Sequence, residues 1–315
     1  MPSKQQQIVE EIIKNLESGV ASASGWEAPW HGAVTPPRNV VSNIEFSGGN
    51  AMWLWFASQM YNYSSNDWAT IKQWNSVGGK LKKGSKAGLQ FAIRPYIKTD
   101  EETGDKYAGG FSAYPVWNKD QVENLPEKYI DKPEVELEFT ANQDIDAFLK
   151  SCNIETKHSD TRRAYYRISE DAVHLPETKW FKSTNGYYST MFHEYIHATG
   201  AKHRLDRDGI TQKIRNEDVY AREELVAELG ASFLCAKFGI YSERQSDTLS
   251  YLKSWIKILK EKPSVLWSAS SDAQKAVDYL MQSQWNTVET AVYSANILYE
   301  DYQHHTSNVN YRRAV

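Results

Sequence analysis

Apolar residues along the chain fall into helical and strand-like periods that alternate throughout. The N-terminal stretch MPSKQQQIVEEIIKNLESG has the pattern of an amphipathic helix. A loop rich in proline, glycine and tryptophan follows through Trp30, Pro36, Pro37 and Asn39, and the pattern predicts a helix over about 51–61. Strand-like runs cover 89–97 and 111–117, separated by the polar turn TDEETGDK. Together these predict an α+β module over 1–125. Residues 126–140, with Pro133 and many charges, have linker composition, and a second unit is expected over 141–315. There a helix is predicted from Ile145 to Ser151, with strands over 164–168 and 172–175.

Two helices dominate the second unit. Met191, Phe192, Tyr195, Ile196 and Ala198 supply the apolar stripe of the first, with Gly200 at its expected C-terminal end. Leu225, Val226, Leu229, Phe233 and Ala236 mark the second, and Gly239 is placed to stop it. The first contains His193-Glu194-Tyr195-Ile196-His197, an HExxH pattern. Residues four apart lie one above the other on a helix, so His193 and His197 can share one cation while Glu194 faces the open coordination position. Zinc is the expected ion, with manganese the alternative.

A catalytic zinc needs a third protein ligand from another element. The second helix offers Glu223, Glu224 and Glu228, with Glu224 the expected ligand and Glu228, one turn on, placed to hold a ligand histidine through its second nitrogen. The competing reading is that first-turn glutamates only complement the helix dipole. His203 is a second candidate ligand, although six residues after His197 is short of the longer metzincin spacing.

Composition narrows the picture. At 315 residues, with 41% hydrophobic content and no apolar run long enough to span a bilayer, the chain is expected to be cytoplasmic and to have no membrane partner. Cys152 and Cys235 are the only cysteines, which excludes a disulfide scaffold and a cysteine-rich metal site. The net charge of −4 is uninformative, but its distribution is not. Between Asn66 and Lys98 seven basic residues face the single acid Asp67. Lys72, Lys80, Lys82, Lys83 and Lys86 belong to this run, which Trp53, Trp68 and Trp74 flank or interleave. Lysines track phosphates and aromatic faces stack on unpaired bases, so the mixture suits single-stranded nucleic acid better than duplex. Tryptophans equally fill cores, and the GGKLKKGSK stretch equally reads as a solvated basic turn.

Trp30, Pro36, Asn39, Phe46, Gly48 and Asn50, then Trp68, Thr70, Gln73, Gly78, Lys82, Gly84 and Lys86, and finally Val116-Trp117-Asn118 resemble the single-stranded-DNA-binding domain of ArdC-type antirestriction proteins. The region from Asp171, Leu175-Pro176 and Tyr187-Tyr188 through the HExxH stretch to Arg204, Arg207 and Glu223-Glu224-Leu225-Val226-Ala227-Glu228 resembles the metallopeptidase domain that accompanies it. The resemblance implies an α+β fold with a gluzincin-type zincin domain. It also implies protection of entering plasmid or phage DNA from host restriction. Glu224 takes the position of the gluzincin glutamate ligand. The chain departs from the family pattern at Ala201-Lys202-His203, where a histidine is expected directly after the glycine.

The expected chemistry is amide hydrolysis of an unidentified protein or peptide, with Glu194 as general base and Tyr187 or Tyr188 as candidate oxyanion donors. The alternative is a non-proteolytic DNA-binding protein whose metal domain is structural. A nuclease fits less well, because a His₂Glu set is unlike the carboxylate-rich sites of metal nucleases.

Overall fold

Helix α1 (Lys4–Ser22) forms where the N-terminal pattern places it, burying Ile8, Val9, Ile12 and Leu16 as one stripe. The computed structural model describes residues 4–22, 35–99, 106–129, 142–161, 163–181, 183–211, 217–241 and 248–282. The TDEETGDK turn between Thr99 and Lys106, and most of the expected linker, lie outside these residues. The protein is α+β.

The first half contains β1 (Arg38–Asn39), β2 (Ile44–Glu45), α2 (Gly48–Met60), β3 (Asp67–Ala69), α3 (Ile71–Ser76) and β4 (Lys80–Leu81). It continues through β5 (Phe91–Thr99), β6 (Lys106–Pro115), β7 (Trp117–Asn118) and β8 (Val122–Glu123). A small sheet has the order β2-β1-β3-β7, while β5 with β6 and β4 with β8 form antiparallel pairs. Thr70 caps α3 with a reciprocal bond pair to Gln73, a capping box that starts the helix directly after β3.

Helix α2 starts three residues ahead of the expected boundary, because Gly48 and Gly49 serve packing rather than a loop. A β-carbon on Gly49 would lie 2.5 Å from the Trp267 ring, and the Gly48 N–H donates to Gln274 Oε1. Asn50, in the same turn, pairs with both the N–H and C=O of Ile93 and so fastens α2 to β5.

The second half contains α4 (Gln143–Ser151), β9 (Glu155–Ser159), β10 (Tyr165–Arg167), β11 (Ala172–Pro176), α5 (Thr184–Thr199) and α6 (Asp208–Thr211). Helices α7 (Glu217–Lys237), α8 (Thr248–Glu261) and α9 (Ser264–Gln282) complete it. The sheet order is β10-β11-β9, with β10 antiparallel and β9 parallel to β11. The strand just before α5 is therefore central, and the edge beside α5 belongs to β10. Strand β9 has the sequence ETKHS, which carries no apolar alternation and gave the pattern nothing to detect.

One continuous core joins the two halves. Helix α1 packs on α8 and α2 packs on α9, and the buried cluster runs from Ile8 through Trp53, Phe91, Phe192 and Leu229 to Leu280. Among the described residues no helix is long and apolar enough to cross a membrane.

Candidate metal centre

Helix α5 begins where the Ser183 side chain accepts the Gly186 N–H, and every residue from Tyr188 to Thr199 is buried. It runs between the β9–β11 sheet and α7, which explains why it carries apolar residues on all sides. Gly200 ends it in an ordinary right-handed conformation, φ −76. The glycine is needed for close approach, since a β-carbon there would meet Ile210 at 2.6 Å and the Arg207 guanidinium at 3.0 Å. Gly239, past the end of α7, takes the left-handed conformation expected of a helix stop, φ +67, with the Ile240 N–H returning to the Cys235 carbonyl.

His193, His197 and Glu224 converge. One potential ligand atom from each lies within 4.8 Å of the others. The Nε2 atoms of His193 and His197 lie 3.5 and 3.6 Å from the two Glu224 oxygens. The imidazole rings are nearly perpendicular, at 80°. Glu224 descends from the first half of α7, so the set combines two potential ligands from one helix with one from another. The outward nitrogens also face carboxylates. His197 Nδ1 is 3.3 Å from Glu223 Oε1, and His193 Nδ1 is 3.6 Å from Glu228 Oε2. Glu228 thus stands on the side of the histidine expected for it, at a separation longer than a hydrogen bond.

The Arg207 guanidinium binds Glu223 through Nη2 at 2.7 Å and Nε at 3.0 Å, and also bonds Thr199 Oγ1 and the Ile196 carbonyl. Sequence reasoning gave Arg207 no role and left Glu223 an undecided candidate. The pair is a tertiary contact across sixteen positions, signalled only by an arginine shortly after a histidine helix and a doubled glutamate.

Burial is the largest single influence on each group, but neighbouring charges together outweigh it at His197 and Glu224. It lowers the His197 pKa, but Glu224 and Glu223 overcome it and push the imidazole up to about 9. Burial raises Glu224, and the two imidazoles more than reverse this, leaving the carboxyl well below its ordinary value. Glu194 is raised by burial, against the opposing pull of His193, His197 and a backbone hydrogen bond from Tyr166 on β10.

Glu194, Glu223, Glu224 and Glu228 are all buried, with Arg207 the buried guanidinium among them. Four carboxylates against one guanidinium leave further positive charge to come either from protons on the imidazoles, in line with the raised His197 value, or from a bound ion. A divalent ion between two imidazoles and a carboxylate can supply it, so the residues present fit the ion.

Other expected positions resolve differently. His203 is 61% exposed and pairs with Asp171, away from the ligand cluster. Tyr187 and Tyr188 do not aim free hydroxyls at the site. The Tyr187 hydroxyl is 2.9 Å from His158 Nε2, and Tyr188 donates to Asp146 Oδ1. Burial raises both phenols, Tyr187 to about 12.

In the N-terminal half Trp53, Trp68 and Trp74 are core residues with 1, 0 and 0% exposure, so none presents a ring face to a base. The stacking expectation fails for these three because the apolar interior claims them. Lys72, Lys80, Lys82, Lys83 and Lys86 are exposed.

Comparison with known proteins is consistent across the chain. Residues 3–131 match the N-terminal domain of anti-restriction factor ArdC, and residues 143–272 match a zincin-like metallopeptidase family. An uncharacterized protein, y4eC, of Sinorhizobium fredii is 31% identical, over 89% of this chain and 92% of its own length. The DNA primase TraC of Escherichia coli is 30% identical over 91% of this chain, which spans only 28% of that longer protein. The crystal structure of the antirestriction ArdC protein from the R388 plasmid, in its metal-free form, superposes with a TM-score of 0.74 at 31% identity, covering 90% of this chain and 98% of that one. Its Mn(II)-bound form gives 0.72 at 30% identity, with the same coverage.

Proposed function

Because this chain belongs to the ArdC family of antirestriction proteins, we propose that it binds single-stranded DNA through residues 1–125 and cleaves a peptide bond through residues 141–315, with 126–140 joining them. It would act in the cytoplasm, where it protects entering plasmid or phage DNA from restriction. His193, His197 and Glu224 hold the ion, zinc or manganese. Once bound, that ion supplies Lewis acidity toward a peptide carbonyl and makes water more acidic.

The remaining work falls to the chain itself. Glu194 takes the proton of the attacking water at its carboxylate and returns it to the departing amine. Glu194 lies on α5, which packs against β10, the edge of its sheet, where an extended peptide can add as a further strand. Glu223 orients His197, and Glu228 faces His193. The observation that carries this reading is Glu194 buried beside the two-histidine, one-glutamate cluster, since an ion that only stabilised the fold needs no such base.

One observation favours a second reading, in which the ion is structural and protection is by DNA binding alone. His193, Glu194 and His197 are only 7–9% exposed, which leaves little of the cluster open to a substrate. Glu194→Gln separates the two. Assayed for plasmid protection and for cleavage of a peptide library, it is expected to keep metal affinity and lose cleavage. Undiminished protection by the variant counts against proteolysis as the protective act.

A further inference from the structure

With the three tryptophans buried, single-stranded DNA needs another aromatic surface near the lysines. Tyr61, the residue that ends α2, is 36% exposed. Its hydroxyl accepts the Leu89 N–H at 3.2 Å, and its ring end lies over Gly88, where a β-carbon would come within 2.6 Å of the hydroxyl oxygen. Gly88 also has φ +52, so the site excludes side chains twice over. Behind Tyr61 stands Tyr63 at 5.8 Å between ring centroids, itself edge-on to Trp68. The exposed ring is thus backed by the core and held in place.

Gly88 is two residues beyond Lys86, and the lysine loop is equally well fixed. The Lys82 N–H donates to the Gln121 carbonyl, Lys82 Nζ donates to the Asp120 carbonyl, and Gln121 Nε2 donates to the Lys86 carbonyl. The Asp120 carboxylate is turned to the Ser64 N–H and hydroxyl. Lys80 sits opposite Glu123 in the β4–β8 register, which sets it apart from Lys82, Lys83 and Lys86.

We propose that Tyr61 is the stacking platform of this module: one base of single-stranded DNA lies on its exposed ring while neighbouring phosphates follow Lys82, Lys83 and Lys86. The proposal rests on the reading that the N-terminal half binds single strands. Stacking and phosphate contact respond to different variables, because stacking needs a base and counterion release needs a charge.

The test uses the full chain, a labelled oligothymidylate and an abasic oligonucleotide of equal length. Tyr61→Leu is expected to weaken oligothymidylate binding about five- to a hundred-fold, from the usual cost of losing one stacked base. The slope of log K against log salt should stay as in the wild type, and affinity for the abasic strand should be untouched. Tyr61→Phe also removes the hydroxyl that Leu89 uses, and it should bind as wild type if the ring is what matters. The triple change of Lys82, Lys83 and Lys86 to Ala should flatten the slope by about two, at roughly 0.7 per phosphate contact.

Phe111 on β6, 72% exposed, is the comparator. Loss of affinity in Phe111→Ala with none in Tyr61→Leu overturns the proposal and moves the platform to the β5–β6 hairpin. Equal loss of both oligonucleotides in Tyr61→Leu also overturns it. A wild-type chain that binds neither oligonucleotide refutes the underlying reading, and the platform with it.

Discussion

Arg207, the residue directly before α6, and Glu223, in the first half of α7, form a buried two-pronged ion pair in which the glutamate also faces the outward nitrogen of His197. The carboxyl is pushed up by burial and pulled below its ordinary value by His197 and Arg207 together. The guanidinium thereby keeps Glu223 charged and aimed.

Arg207→Met leaves that carboxylate buried without its partner, an arrangement that typically costs about 3–5 kcal/mol. The variant is expected to melt well below the wild type. Its zinc affinity, measured by chelator competition, should fall about 10- to 100-fold, the usual effect of removing a partner of a ligand histidine. Arg207→Lys keeps the charge and loses the planar fork, so it should recover stability better than affinity. Unchanged affinity in both variants would reduce Arg207 to a scaffold role.

Divalent metal should itself stabilise the protein. An ion that binds only the folded chain adds about 4 kcal/mol at a free concentration a thousand times its Kd. Thermal unfolding with and without zinc is expected to show a rise in midpoint that His193→Ala, His197→Ala and Glu224→Ala each abolish. A rise that survives all three would mean that the ion sits elsewhere.

A second ion pair is expected to contribute to acid sensitivity. Arg204 contacts both Asp171 oxygens, at 2.6 and 2.9 Å, and Tyr166 donates to the same carboxylate, tying the β10–β11 turn to the end of α5. Burial raises the Asp171 pKa, but Arg204 and Tyr166 prevail and hold it below 3.8. A depressed folded pKa means that the contribution is fully present above the unfolded value, about 3.9, and is lost as pH falls through the folded one. Asp171 is 39% exposed, so about 1 kcal/mol is expected rather than a buried-pair value. Asn also tolerates the φ of 48 found here. Asp171→Asn should therefore cost that much at neutral pH and flatten the stability curve below pH ~4, read by urea unfolding. A variant whose curve falls in parallel with the wild type would assign the acid limb to other carboxylates.

The convergence of His193, His197 and Glu224 was readable because its parts are local. HExxH needs only helical spacing, and Glu224 lies on a helix that its own periodicity announces. The same locality made α1, the inner parts of β5 and β6 and the ends of α5 and α7 legible, although β6 starts at Lys106, five residues before the expected strand. What stayed hidden depends on distance. Trp53, Trp68 and Trp74 look alike in sequence whether they line a groove or fill a core, and only the packing of α2, β3 and α3 decides. Strand β9 is set by pairing with β11 rather than by its own polar residues. Arg207 and Glu223 find each other only after α5 and α7 have packed.

That packing turns on one glycine. Gly230 on α7 faces Ile196 on α5, the residue before His197, and a β-carbon there would come within 2.8 Å of Ile196 Cδ1 and Cγ1. Two effects compete in Gly230→Ala. Helix propensity favours alanine by about 1 kcal/mol, whereas overpacking a filled core costs about 1–3 kcal/mol. Ile196 is fully buried and β-branched, so its χ1 has little freedom to yield. Overpacking therefore wins, and the relief is for α5 and α7 to move apart, drawing Glu224 away from His193 and His197. Gly230→Ala should lower both the melting midpoint and zinc affinity, and Ile196→Val, which removes Cδ1, should restore part of each. The four proteins of that cycle should show a coupling of about 0.5–3 kcal/mol between the two positions. Additive effects, or a Gly230→Ala protein more stable than wild type, would show that the helices do not meet at this contact.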